Sequence, residues 1–379
     1  MTGSQKHVVL ASGGTGGHIF PARALAEELL KRDYCVTLLT DNRGAKYDRL
    51  FPGASVVSIK SGSPSIGGII GKAKAGLKII AGTFEAVGIL RKLKPVAVVG
   101  FGGYPSMPPA AAAGFLKTPL ILHEQNAVLG RVNKLLAGTA KSIATSFQDT
   151  ETSNPDVAQK MVYTGNPVRD EILRLHGQAY KAPQKGGVIS LLVLGGSQGA
   201  AVFSDVIPRA IAALPLDLQK RLKITQQCRP EDLENVRAHY AQTAAKTDLA
   251  TFFKNVPELL ANCHLAITRS GASTLAELAV AGRPAILVPY KHAMDNHQLK
   301  NAQREVAKGA AELILQDDFT VETFMPILKT LLSQPIKLEK MAQAAADLGE
   351  VHAAKNLADM VEKFSHSGKN SSRLNGEDT

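Results

Sequence analysis

The stretch that decides the fold is Val8-Val9-Leu10-Ala11-Ser12-Gly13-Gly14-Thr15-Gly16-Gly17-His18. A short apolar run, a glycine-rich turn and then the helical pattern Ala22–Arg32 read as a buried strand feeding a helix. The same design returns 182 residues on, as Leu191-Leu192-Val193-Leu194-Gly195-Gly196-Ser197-Gln198-Gly199. Around the first copy, apolar β-branched runs at Val36–Leu39, Val96–Val99, Leu120–Leu122 and Ser142–Ala144 alternate with helical patterns. Around the second, Ile189–Leu194, Leu222–Thr225, Leu265–Thr268 and Ala285–Val288 do the same. Continuous apolar strands separated by helices predict parallel sheets covered on both faces, an α/β chain of two doubly wound domains.

The predicted organisation is an N-terminal domain over 1–165 and a C-terminal domain over 166–349, hinged near Asn166-Pro167. A final helix over 350–365, with Leu357, Met360, Val361 and Phe364 on one stripe, precedes a polar tail over 366–379 expected to be disordered. The 379 residues, 45% hydrophobic and 20% charged, exclude whole-chain disorder. Three widely spaced cysteines make neither a disulfide framework nor a zinc cluster and point to a reducing compartment. Val8–Ala11 is too short for a signal peptide. Pro95–Leu116 carries no charge over 22 residues, but its four prolines and four glycines would break a spanning helix.

Net charge is +11, which calls for an anionic partner. Six of the basic residues against one acid fall between Ser65 and Lys94. There is no Trp, and aromatics are 5%, too few to stack bases, so nucleic acid is not expected. In the basic segment, Ile69, Ile70, Leu77, Ile80 and Phe84 mix with Lys72, Lys74 and Lys78. That composition suits an anionic membrane surface, apolar side chains entering the headgroup boundary while lysines meet acidic lipid. An ordinary solvated surface helix is the competing reading.

The loop Gly13–His18 lets a ligand approach backbone amides at a helix N-terminus, where an anion is favoured. Its spacing is not Gly-x-Gly-x-x-Gly, so although Asp41 follows the second strand as a ribose-binding acid would, a dinucleotide is disfavoured. His18, at the positive end of a helix, is held toward neutral imidazole, the form that accepts a proton. Gly195–Gly199 and Arg269-Ser270-Gly271-Ala272-Ser273-Thr274 offer further amides and hydroxyls, and Glu277 a carboxylate for a ribose. His123-Glu124-Gln125-Asn126 ends a strand at the ligand edge of a parallel sheet, unless it is a buried hydrogen-bond network. Asp295-Asn296-His297-Gln298 stands in the corresponding place. His292 and His297 are five apart, poor spacing for a shared metal, and no metal or other cofactor is expected.

Together, Gly13–Pro21, Gly102-Gly103-Tyr104-Pro105-Ser106, His123–Asn126, Gly165-Asn166-Pro167-Val168-Arg169, Gly195–Ala200, Arg269–Glu277 and Asp295–Gln298 resemble the MurG family of peptidoglycan N-acetylglucosaminyltransferases. The resemblance covers all but the polar tail. It implies a GT-B fold, two Rossmann-like domains facing a cleft, with the last helix returning to the first domain. It implies inverting, metal-independent transfer of GlcNAc from UDP-GlcNAc to the muramyl C4 hydroxyl of undecaprenyl-linked lipid I, giving lipid II and UDP. On this resemblance His18 is the general base and Thr15, Gly16 and Gly17 meet the substrate phosphates. Ser197, Gln198 and the stretch Ala272, Ser273, Thr274, Leu275 hold the diphosphate, with Ala276 beside it, and Glu277 binds the ribose. Gln298 and Asn126 face the sugar, while Tyr104, Glu124 and Arg169 complete the substrate contacts. Phe253-Lys254-Asn255-Val256 departs from the acidic residues common in relatives, so uracil is expected to meet backbone near Phe253. The implied location is peripheral, on the cytoplasmic face of the plasma (inner) membrane, with cell-wall synthesis proteins as candidate partners. Two alternatives are carried forward: a UDP-GlcNAc 2-epimerase, which uses the donor alone, and a non-catalytic membrane-bound nucleotide-sugar binder.

Overall fold

The computed structural model describes residues 5–63, 68–196 and 199–367. The chain divides into two compact units. One contains the residues before Asp170 and takes the chain back from His352; the other is Asp170–Val351. The break thus falls after Arg169, a few residues beyond the expected boundary at 165.

The first unit is built on β1 (His7–Ala11), β2 (Cys35–Thr40), β3 (Ser55–Ser58), β4 (Ala97–Gly100), β5 (Leu120–Glu124), β6 (Ser142–Thr145) and β7 (Met161–Tyr163). They form one parallel sheet in the order β3-β2-β1-β4-β5-β6-β7. The second unit repeats the scheme with β8 (Ile189–Leu194), β9 (Leu222–Gln227), β10 (Lys246–Ala250), β11 (Leu265–Thr268), β12 (Ala285–Leu287) and β13 (Ala311–Leu313). Its order is β10-β9-β8-β11-β12-β13, again parallel. In each unit the strand order reverses beside the first strand, between β1 and β4 and between β8 and β11. That is the switch point where the loops after two neighbouring strands splay apart and α/β proteins take ligands.

Pleating divides β1 between two cores. Val8 and Leu10 pack with Ile19, Leu25 and Leu29 of helix Gly16–Lys31, whereas Val9 joins Val98, Leu122 and Ala110 on the other face. Helix Ala353–Ser367 completes the first of these cores with Leu357, Ala358 and Val361, all at 0% exposure. Leu357 and Val361 each contribute about 2 kcal/mol of burial, and the Ala358 methyl less than about 1 kcal/mol. Arg32 clips the same helix from outside, pairing with Asp359 at 2.6 Å and Glu362 at 3.2 Å. This helix begins three residues later than expected and includes His366 and Ser367; the remainder of the predicted tail lies outside the described residues. Helix Gly16–Lys31 starts six residues before the predicted Ala22, so Gly16, Gly17 and His18 form its first turn.

Candidate active site

At the first switch point the loop after β1 meets the loop after β4. His18 sits in the first turn of its helix, half-buried, its Nδ1 2.8 Å from the Thr15 hydroxyl. Gly13, Gly102 and Gly103 wall its ring. A Cβ at Gly102 would stand 3.5 Å from His18 Nε2, and one at Gly103 3.5 Å from Cε1. Both glycines have positive φ, +80° and +73°, and this backbone is what requires glycine, since a Cβ would meet the imidazole only at ordinary van der Waals distance. The glycines of the first loop divide by task. A Cβ at Gly14 would lie 2.7 Å from both Arg43 Cβ and Gly44 N, whereas one at Gly17 would meet nothing within 4 Å. Gly14 is there for packing; Gly17 faces open space. Asp41 turns out to be part of that packing: its carboxylate accepts from the Gly44 N–H and pairs with Arg43.

Behind His18 lies a buried polar network at the end of β5. His123 is fully buried, its Nε2 3.3 Å from the Gly165 carbonyl and its Nδ1 3.0 Å from Gln125 Nε2. Burial pulls its pKa down to about 4, with His18 pushing the same way, so the ring is neutral at physiological pH. Gln125 also donates to the Phe101 carbonyl at 2.9 Å, which ties the β4 loop to β5.

Glu124, expected at the substrate, is 2% exposed and instead organises the loop beneath it. One carboxylate oxygen accepts from the backbone and side-chain N–H groups of Asn126, the other from Gly130 N at 2.7 Å and Asn133 Nδ2 at 2.8 Å. None of these donors is a cation, and burial raises the carboxyl pKa against their pull. Asn126 is half-buried above it. Asn133, on helix Arg131–Leu136, was not singled out by the sequence; a lone asparagine on an otherwise ordinary short helix carries no signal until its inward face is known. Tyr104 is half-buried at the start of the turn Tyr104–Ser106. The Arg169 guanidinium lies over the Phe20 ring, 4.6 Å from its centroid, close to the helix that carries His18.

At the second switch point, Ser197 and Gln198 lie outside the described residues. The loop after β11 leads through Gly271 into helix Ala272–Ala281, whose N-cap has no side-chain hydrogen bond and whose first turn holds no acid. This is an anion-favouring terminus. Ser273, Thr274 and Ala276 are partly accessible there, while Ala272, Leu275 and Glu277 are buried, Glu277 to 9% exposure. Gln298 is half-buried near the start of helix His297–Ala307; its Oε1 accepts from Tyr290 N at 2.9 Å, and its carbonyl accepts from the Ser270 hydroxyl at 2.7 Å. Phe253 is half-buried and its neighbour Phe252 is 69% exposed. Arg269, directly after β11, is a buried cation. Among the described residues no group of three or more His, Cys, Asp or Glu is placed to hold a metal ion.

Two Rossmann-like units of one topology give the chain a GT-B fold. Residues 8–145 match the glycosyltransferase family 28 N-terminal domain, and 190–360 match the family 28 C-terminal domain. The chain belongs to glycosyltransferase family 28. It is 49% identical, over 94% of both chains, to the UDP-N-acetylglucosamine–N-acetylmuramyl-(pentapeptide) pyrophosphoryl-undecaprenol N-acetylglucosamine transferase of Rhodospirillum centenum. The crystal structure of Acinetobacter baumannii MurG superposes with a TM-score of 0.75 at 31% identity, covering 94% of this chain and 99% of that one. A UDP-N-acetylglucosamine 2-epimerase structure from Listeria monocytogenes, at 13% identity and TM-score 0.68 over 96% and 97% of the two chains, shares the fold alone.

Proposed function

We propose that this chain transfers N-acetylglucosamine from UDP-N-acetylglucosamine to the C4 hydroxyl of the muramyl unit of lipid I, with inversion and without a metal, releasing UDP. The reading rests above all on His18: one imidazole on the first turn of a helix, bonded to Thr15 and walled by glycines at a ligand-taking switch point. With Nδ1 engaged by Thr15, Nε2 is the nitrogen that takes the C4 hydroxyl proton as that oxygen attacks the sugar C1. The C1–oxygen bond to the β-phosphate breaks in the same displacement, and UDP leaves with the electron pair. The amides opening helix Ala272–Ala281 supply fixed positive potential for that charge. In this reading Gly16 and Gly17 admit phosphate, Arg169 and Asn126 contact substrate in the first unit, Glu277 binds the ribose and Gln298 the sugar.

The acceptor's lipid anchor gives helix Gly68–Leu93 a task. The side chains of Ile69 and Ile70 lie outside the described residues. Leu77, Ile80 and Phe84 are 68%, 56% and 75% exposed, three and four residues apart, while Ala75, Ala86 and Leu90 face the core. Lys72, Lys74 and Lys78 are exposed along the same stretch. Phe115, 72% exposed on the packed neighbour Met107–Phe115, adds an apolar residue the sequence did not single out. No described helix is long and apolar enough to cross a membrane. The geometry favours peripheral docking on an acidic lipid surface, which we place at the cytoplasmic face of the plasma membrane.

A sugar-transfer assay with labelled UDP-GlcNAc and a lipid-linked acceptor, run in chelator, tests the core reading. Labelled disaccharide-lipid supports it; formation of UDP-ManNAc without acceptor would assign the chain to the epimerases instead. Changing Lys72, Lys74 and Lys78 to Glu should weaken binding to anionic vesicles, and unaltered binding would remove the docking surface.

A further inference from the structure

Arg269 is 9% exposed and meets no carboxylate among the described residues. Its Nη1 donates to the carbonyls of Val288 at 2.9 Å and Pro289 at 3.3 Å. The guanidinium lies over two rings, 5.1 Å from Phe203 and 5.5 Å from Tyr290. Burial lowers its pKa to about 10, which leaves it charged at neutral pH. Burying an arginine without a counter-ion is expensive, and a methionine would fill the space without that cost.

Val288 and Pro289 lead from β12 directly into Tyr290, whose N–H donates to Gln298 Oε1. Ser270, adjacent to Arg269, donates to the Gln298 carbonyl, and Asn301 Nδ2 donates back to the Ser270 carbonyl at 3.2 Å. The turn after β11 and the segment after β12 are thus stapled around Gln298. An N–H can bond only to the oxygen of a carboxamide, so the Tyr290 contact assigns Oε1 inward and leaves the NH2 as the group Gln298 can offer a ligand.

We infer that Arg269 is a positioning residue for the donor: it fixes the Val288–Tyr290 turn and, through the Tyr290 N–H, presets Gln298 to donate from its NH2 to an oxygen of the donor sugar. The inference rests on the donor reading above. A lysine keeps the charge but lacks the flat, delocalised guanidinium that lies over the Phe203 and Tyr290 rings while its Nη1 reaches both carbonyls. Arg269→Lys should raise KM for UDP-GlcNAc about tenfold, with kcat at saturating donor and KM for the lipid acceptor within about twofold.

The chain contains no Trp, so Tyr290→Trp installs a single indole beside the guanidinium. Its emission should shift to the red when Arg269→Lys is added. An unchanged donor KM in folded Arg269→Lys, or a fall in kcat alone, would overturn the inference. Should Arg269→Lys fail to fold, Gln298→Glu retains an acceptor for the Tyr290 N–H while deleting the NH2. An unchanged donor KM sinks the inference, because the Gln298 NH2 would then serve no donor oxygen. Calorimetry with UDP-GlcNAc separates the two layers. If the wild-type chain does not bind it, the donor reading falls; if wild type and Arg269→Lys bind it equally, only the role of Arg269 falls.

Discussion

The two units share one topology but bury opposite charges behind their strand ends. In the first, the Glu124 carboxylate is met by four N–H groups; in the second, the Arg269 guanidinium is met by two carbonyls and two rings. Neither has a counter-ion among these partners, so backbone and amide dipoles do the solvating that water does elsewhere. The sign matches the task proposed for each half. The unit carrying the proton acceptor His18 has a buried carboxylate and a neutral His123, whereas the unit proposed to hold a pyrophosphate has a buried cation and an uncapped helix terminus. A shared sheet order therefore says little about function; the polar residues at the switch points specialise each copy.

The largest effect should come from His18→Ala. We expect kcat to fall on the order of 10²–10⁴-fold for a lost general base, with UDP-GlcNAc affinity of the second unit unchanged. Single-turnover kinetics with calorimetry measures both, and a parallel loss of donor affinity would break the division of labour. Next, Glu124→Gln turns an NH2 toward N–H groups that now find an acceptor. Leaving those donors unpaired should cost about 3 kcal/mol of stability, read from the urea midpoint, without changing donor affinity.

His123 gives a pH signature of comparable size. Its folded pKa, about 4, lies below the unfolded value of 6.5, so the unfolded chain binds the proton more readily. Its contribution is complete above about pH 6.5 and is lost as pH falls toward 4, up to about 3 kcal/mol in all. His123→Phe should flatten that part of the stability profile, and an unchanged profile would mean the ring is not the group that titrates. The smallest change in stability belongs to Gly17→Ala, which adds a methyl to open space. It should shift stability by less than about 1 kcal/mol yet raise substrate KM, whereas Gly14→Ala should destabilise the fold through backbone collision.

The central strands were legible because both their faces are buried, which forces unbroken apolar runs. The four strands that the periodicity does not reveal, β3, β7, β10 and β13, are the four sheet edges. Ser55–Ser58 and Lys246–Ala250 are half-exposed, so nothing compels an apolar pattern in them. The start of helix Gly16–Lys31 was hidden for a related reason. Glycine carries poor helix propensity, and residues 16 and 17 are helical because β1 delivers the chain to that point. The segment 66–94 was readable as basic and apolar, but only packing against helix Met107–Phe115 decides that Ala86 and Leu90 turn inward while Leu77, Ile80 and Phe84 face out.

At the site, the order of glycine loops, His18 and the polar quartet His123–Asn126 stands in the linear chain, since strand–turn–helix chemistry is local. Which of those polar groups would be exposed does not. Glu124 and Asn126 are two residues apart, yet one is sealed under four donors and the other is accessible. Likewise Arg269 gains its meaning from carbonyls nineteen and twenty residues further on. Local pattern thus determined the repeated α/β architecture and the candidate loops. Burial, counter-ion absence and the orientation of Gln298 depend on contacts between segments distant in sequence, and only the folded chain could decide them.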